Sequence, residues 1–234
     1  MNAAGSLGFA PSGRLGLDWS RFGAFVTNPI SLGPRSPAHG LRFAPYPGGF
    51  LLHTGYPNPG FKAALKRCAA AWRRAPQPVI VHLLAQQPDE LAYMVRQWEG
   101  RENIQALEVG LPPGLDATSA RQLVEAALGE MALIARLPCE QALELASVAL
   151  QAGAAAVSLE ARRGTLPAGE GLVMEGRLYG PAVFPQAFSL TRQLIQAEIP
   201  VIAAGGVYRE AEVEALLAAG ALGVQLDASL WLEG

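Results

Sequence analysis

Ile199-Pro-Val-Ile-Ala-Ala-Gly-Gly-Val207 is followed, after a run from Arg209 to Ala219, by Gly223-Val-Gln-Leu-Asp-Ala-Ser-Leu230. The first piece reads as a buried strand over Val201 to Ala203 that stops at Gly205-Gly206. The middle run, rich in Glu and Ala, reads as a helix, and the last piece begins another apolar strand near Gly223. Strand, glycine pair, helix and strand make a parallel crossover unit. Glycines at the C-terminal end of such a strand leave backbone N–H groups bare at a helix N-terminus, where a phosphate can be held without side chains. In an eight-stranded parallel barrel the last two strands are a common phosphate seat.

The same alternation extends back through the chain. Pro78-Val-Ile-Val-His-Leu-Leu84 is a continuous apolar strand of the kind buried on both faces in parallel sheets. Strands are expected near 2–5, 24–27, 79–84, 106–109, 132–136, 155–159, 200–203 and 223–226, with helices over Phe61–Arg74, Pro88–Trp98, Ala117–Leu128 and Glu140–Ala152 and another after Gly180-Pro181. Eight such units predict an α/β fold, a closed (β/α)8 TIM barrel forming a single domain over residues 1–234. Residues 29–59 are dense in Pro and Gly and carry two short extended pieces around Pro47-Gly48-Gly49, which predicts a hairpin excursion serving as a lid. The chain ends directly after its last strand, leaving no room for an eighth outer helix. Strands one and eight are therefore expected to be covered by the excursion or by another subunit, in a homo-oligomer or with a partner chain.

Composition narrows the function. A net charge of −2 with only three histidines provides no basic stripe for nucleic acid, so small molecules are the expected partners. No apolar run approaches a membrane span and the first ten residues lack a secretory pattern, which predicts a cytoplasmic protein. Cys68 and Cys139 have no metal-type spacing and read as two ordinary buried thiols, and no metal site is expected.

Several segments occur in the order and spacing of the dihydroorotate dehydrogenases: Ala3-Ala4-Gly5-Ser6, Gly23-Ala-Phe-Val-Thr27, Pro47-Gly-Gly-Phe-Leu51, Gly55-Tyr-Pro-Asn-Pro-Gly60, Leu107-Glu108, Gly180-Pro-Ala182 and Gly205-Gly-Val207. The chain resembles that family over nearly its whole length. The resemblance implies a barrel binding FMN, with Ala4 and Gly5 against the flavin ring and Gly180, Gly205 and Gly206 around the phosphate. Asp227-Ala228 stand where the family has Gly-Thr in the phosphate cradle, and Asn28 stands at the family's lysine. An ionised Asp beside a phosphate dianion is repulsive. Of the family's substrate asparagines only Asn58 remains, and Val109–Pro113 carries neither the asparagine nor the Cys or Ser base.

Arg136 aligns with a lysine at the flavin's N1–O2 edge and is a candidate catalytic and cofactor-binding cation; a salt bridge with Glu108 or Glu160 is the alternative. His82 reads as a flavin hydrogen-bond partner, an acid/base or a satisfied core residue. His53, on the lid, is a candidate substrate contact beside Asn58. Glu108 and Glu160 sit at strand ends facing the same mouth and read as an acidic pair or, in preference, as a solvated rim. The resemblance implies an FMN-dependent oxidoreductase with an altered substrate, hydride passing to flavin N5. The alternative is a non-catalytic ligand-binding or scaffolding barrel that has lost FMN.

Overall fold

A computed structural model describes residues 1–12, 16–169 and 171–232. In chain order the elements are β1 (Phe25–Val26), β2 (Ile30–Ser31), β3 (Phe43–Tyr46), β4 (Gly49–Leu52), α1 (Phe61–Arg74), β5 (Val79–Leu84), α2 (Pro88–Arg96), β6 (Ile104–Gly110), α3 (Ala117–Ala126), β7 (Ala132–Leu137), α4 (Ala142–Gln151), β8 (Ala156–Leu159), β9 (Arg163–Gly169), β10 (Leu172–Tyr179), α5 (Phe184–Gln196), β11 (Val201–Ala204), α6 (Glu210–Ala218) and β12 (Gly223–Gln225). The parallel sheet runs β1-β5-β6-β7-β8-β11-β12, with β2 also on β5. α1, α2, α3 and α4 fall on the expected helices within a few residues. A 3-10 turn over Ala228–Trp231 follows the last strand.

The ring is closed by one side chain. The expected first strand shrinks to a single parallel bridge, Asn2 with Leu226. On its other side Asn2 presents its carboxamide where a strand would present a peptide: Oδ1 accepts from Val26 N at 2.9 Å and Nδ2 donates to the Val26 carbonyl at 2.7 Å. A carboxamide has the donor and acceptor of a peptide group, so it completes the ladder.

Barrel strand two is split. Val26 pairs with Ile80 and Ile30 with Leu83, so β1–β2 has one residue more than β5 between those pairs, a bulge at Thr27–Pro29 where proline has no N–H to give. The Thr27 hydroxyl accepts the His82 amide N–H at 3.0 Å.

Residues alternate in and out along each strand. Outward ones, with the inner helix faces, form the large core that includes Phe25, Leu83, Leu107 and Leu137 with Trp72 and Trp98, whose rings meet edge to face at 5.3 Å. Inward ones form a smaller cluster of Val26, Ile80, Ala106, Ile134 and Ile202, the apolar floor of the ring.

The Pro/Gly-rich excursion is a hairpin, β3 on β4, as expected. What it joins has no signal in the sequence. β9 and β10 form a second hairpin, and β10 pairs antiparallel with β4 through Arg177–Leu52, Leu178–Leu51 and Tyr179–Phe50. The resulting four-stranded sheet, β3-β4-β10-β9, carries Arg177 and Tyr179 to the barrel mouth. Pro167 sits in β9, an edge strand, where a missing N–H is tolerated. Cys139 is buried, but Cys68 is only half-buried, which corrects the expectation of two buried thiols. No helix among the described residues is long and apolar enough to cross a membrane.

Candidate functional site

Above the apolar floor the inward positions turn polar. His82 of β5 and Glu108 of β6 are register partners, and both side chains point into the ring. Glu108 is fully buried, and its four contacts come from around the barrel: Ser158 Oγ and Gln225 Nε2 donate to Oε1 at 2.7 Å each, His82 Nδ1 lies 2.6 Å from Oε2, and Arg136 Nη1 lies 3.5 Å from Oε2. Burial alone would raise its pKa. The bond from His82, the Arg136 charge and the Ser158 hydroxyl outweigh burial and hold the carboxyl at about 2. Burial lowers the pKa of His82, although Glu108 pulls the other way. The pair at neutral pH is therefore carboxylate and neutral imidazole, with Nδ1 donating and Nε2 left as an acceptor. Nε2 lies beside Gly110, where a Cβ would come within 3.0 Å of it.

A second polar layer lies over the first. Glu160, just past β8, accepts from Tyr56 Oη at 2.7 Å and from Arg177 Nε at 2.9 Å, with a second bond from Arg177 Nη2. The Arg177 guanidinium also stacks over the Tyr56 ring, 4.1 Å from its centroid. Burial would raise Glu160, but Arg177 and Arg136 together hold it below the ordinary carboxylate range. The solvated acidic rim expected from sequence is thus corrected. Glu108 and Glu160 are both inside, each stabilised by an arginine, because a buried carboxylate must be paired.

The remaining expected residues fall as follows. Arg136 takes the salt-bridge alternative, yet its Nε and Nη1 make no hydrogen bond. Asn58 is committed to its own loop, accepting from Ser31 N and Gly60 N and donating to Ser31 Oγ and the Tyr56 carbonyl. Asn28 Oδ1 accepts from Gly8 N. His53 is half-buried and lines neither mouth cavity described below. Ser158, Gln225, Arg35 and Arg177 were missed. For Ser158 and Gln225 a signal existed, since each interrupts an apolar strand at an inward position.

Two spaces open at the mouth. One is bounded by Ala3, Ala4, Gly5, Ser6, Arg136, Tyr179, Asp227 and Trp231, the segment where the resemblance puts a flavin, and its volume is about 10 Å³. That holds about one water molecule, whereas ligand pockets run from roughly 300 to 1,000 Å³. Each glycine expected around the phosphate has protein packed where a side chain would go. A Cβ on Gly180 would lie 2.3 Å from the Gly48 carbonyl oxygen, on Gly206 2.4 Å from the Phe184 nitrogen, and on Gly205 3.2 Å from the Ala187 Cβ. Asp227 is buried and takes the Ala228 N–H on its own carboxylate. Burial pushes its pKa up to about 6. With this packing the space beside Ala4, Gly5 and Arg136 does not hold FMN.

The second space is about 300 Å³. It lies between the excursion and the loops after β5 and β6, with His82, Gly110, Tyr56, Glu160 and Arg177 on its inner wall. Arg35, Gln86, Gln87, Glu90 and Pro113 form its exposed rim.

A closed parallel ring with an antiparallel sheet over its mouth defines a (β/α)8 barrel with a capping sheet, and comparison with known proteins gives its family. The sequence profile of the nitronate monooxygenase family matches residues 174–232. The catalytic subunit of dihydroorotate dehydrogenase B (NAD(+)) from Trichlorobacter lovleyi is 30% identical over 252 residues, covering 97% of this chain and 81% of that one. The same subunit from Geotalea uraniireducens is 27% identical, covering 100% and 83%. The solved dihydroorotate dehydrogenase of Eimeria tenella, in complex with ferulenol, superposes with a TM-score of 0.72 at 16% identity, covering 91% of this chain and 71% of that one. The chain belongs to the dihydroorotate dehydrogenase family.

Proposed function

We propose that this chain is a family member that has given up the flavin seat and acts as a ligand-binding barrel, taking a small molecule into the 300 Å³ cavity at its mouth. One observation carries the reading: the seat bounded by Ala4, Gly5, Arg136 and Asp227 has room for about one water. Asp227 adds to it, because its buried carboxylate uses the Ala228 amide that a phosphate would need. The paired layers Glu108–His82–Arg136 and Glu160–Arg177–Tyr56 support the reading too, since the mouth neutralises its charges without a ligand.

A second reading is favoured by one feature. The Nε and Nη1 of Arg136 are buried without hydrogen-bond partners beside Ala4 and Gly5, as they would be if a flavin's N1–O2 edge completed them. On that reading the chain is an FMN-dependent oxidoreductase with an altered substrate.

Purified protein is expected to be colourless and to take up no FMN on equilibrium dialysis. A flavin absorption band that remains with the protein at one equivalent would overturn the proposal in favour of the second reading.

A further inference from the structure

The larger cavity has a polarity of its own. Its inner wall presents acceptors held at depth: His82, 2% exposed, with Nε2 unpartnered beside Gly110, and the Glu160 carboxylate, 9% exposed, whose Oε1 takes Tyr56 and Arg177 while Oε2 makes no hydrogen bond. Arg177 also faces the cavity, but its charge is committed to Glu160. At the rim stand one guanidinium and one carboxylate without ion-pair partners among the described residues, Arg35 and Glu90. The backbone of Arg35 is bridged to Asn58, while its side chain bonds only through Nε to the Gly55 carbonyl at 3.3 Å, which leaves the rest of its fork open. Gln86 and Gln87 complete the rim with neutral amides.

A polyanion is a poor match, since Glu90 and Glu160 balance Arg35 and Arg177 on the lining and leave no net positive charge. A simple cation would leave Arg35 unused. The complementary molecule has a positively charged N–H donor end directed inward and a carboxylate directed outward. We infer that the cavity binds a small zwitterion of the amino-acid class, its ammonium group donating to His82 Nε2 and Glu160 and its carboxylate lying on Arg35. Glu108 sets the polarity of the inner wall. By fixing the proton on Nδ1 it keeps Nε2 an acceptor, so Glu108 is a positioning residue and His82 the contact. Gly110 is the notch through which the ammonium reaches Nε2, because a Cβ there would stand 3.0 Å from that nitrogen and 3.2 Å from Leu84 Cδ2. The inference rests on the cavity being the ligand site, but its test is independent of the flavin question, because none of the FMN-seat residues Ala4, Gly5, Arg136 and Asp227 line this cavity.

The full chain, labelled with 15N at histidine, would be titrated with the twenty standard amino acids, acetate and methylammonium while the imidazole resonances are followed. Free His82 is expected as the Nδ1–H tautomer. At least one amino acid is expected to shift its Nε2 saturably while His39 and His53 stay in place, with acetate and methylammonium at least about tenfold weaker. Arg35→Gln, which touches neither His82 nor Glu108, is expected to weaken binding about tenfold or more, and Gly110→Ala, whose methyl presses on the imidazole, to weaken it by at least a similar factor. No saturable shift with any amino acid, equal binding of methylammonium, or unchanged affinity in both variants overturns the inference. Uptake of FMN would overturn the flavin-free reading alone.

Discussion

Among single residues, Asp227 carries the clearest consequence for solution behaviour. Its pKa rises from an ordinary 3.8 to about 6 on burial, so between those values the folded state holds a proton that the unfolded state has released. Stability from this group is complete below pH 3.8 and is lost as pH rises through 6, a contribution of about 2–3 kcal/mol. Asp227→Asn keeps an acceptor for Ala228 N–H and removes the charge. It should therefore be more stable than the parent by about 2 kcal/mol at pH 7.5 and indistinguishable near pH 4, as read from urea midpoints. Glu108→Gln acts in the other direction. It leaves Arg136 buried without its counter-charge and should cost about 3–5 kcal/mol in the same measurement. This part of the site was only half legible in the sequence. His82, Glu108 and Arg136 stood out as polar residues on apolar strands. That they converge on one carboxylate depends on strand tilt and ring closure, which period-two alternation does not encode.

Among elements, the seam at Asn2 replaces most of a strand. Asn2→Ala removes both bonds to Val26 and leaves a buried N–H and carbonyl without partners, an expected loss of about 2–4 kcal/mol. Hydrogen exchange should locate the damage, with the Val26 amide losing protection far more than the amides of β6 and β7. The strands and helices from β5 to α4 were readable because parallel strands buried on both faces give long apolar runs between helices with clear starts. β9 and β10 were not. Pro167 and the exposed alternating positions of Arg163–Gly169 look like a loop, and the pairing with β4 joins segments more than a hundred residues apart. The first strand was overstated for a related reason: its ladder is made by a side chain, and no backbone pattern announces that.

Across the whole molecule the buried charges set the acid limit. Glu108 falls from 4.5 to about 2 on folding, so its contribution is present above pH 4.5 and lost as pH falls towards 2, roughly 3 kcal/mol. Glu160 is also lowered and adds in the same direction. His82, lowered by burial, adds a loss that begins as pH falls below 6.5, where the unfolded imidazole takes up a proton first. Urea midpoints should accordingly fall steeply between pH 4.5 and 2.5, and a flat profile there would contradict the paired arrangement. The sheet laid across the top of the ring has one further effect. With Gly48 and Gly49 seated on Gly180, and Tyr179 in contact with Trp231, the space they border with Ala4 and Gly5 is narrowed to about 10 Å³. The roomier opening lies at the flank, framed by Arg35, the Gln86–Gln87 corner and Pro113, so a molecule taken up there would be screened by the rim before it met the histidine.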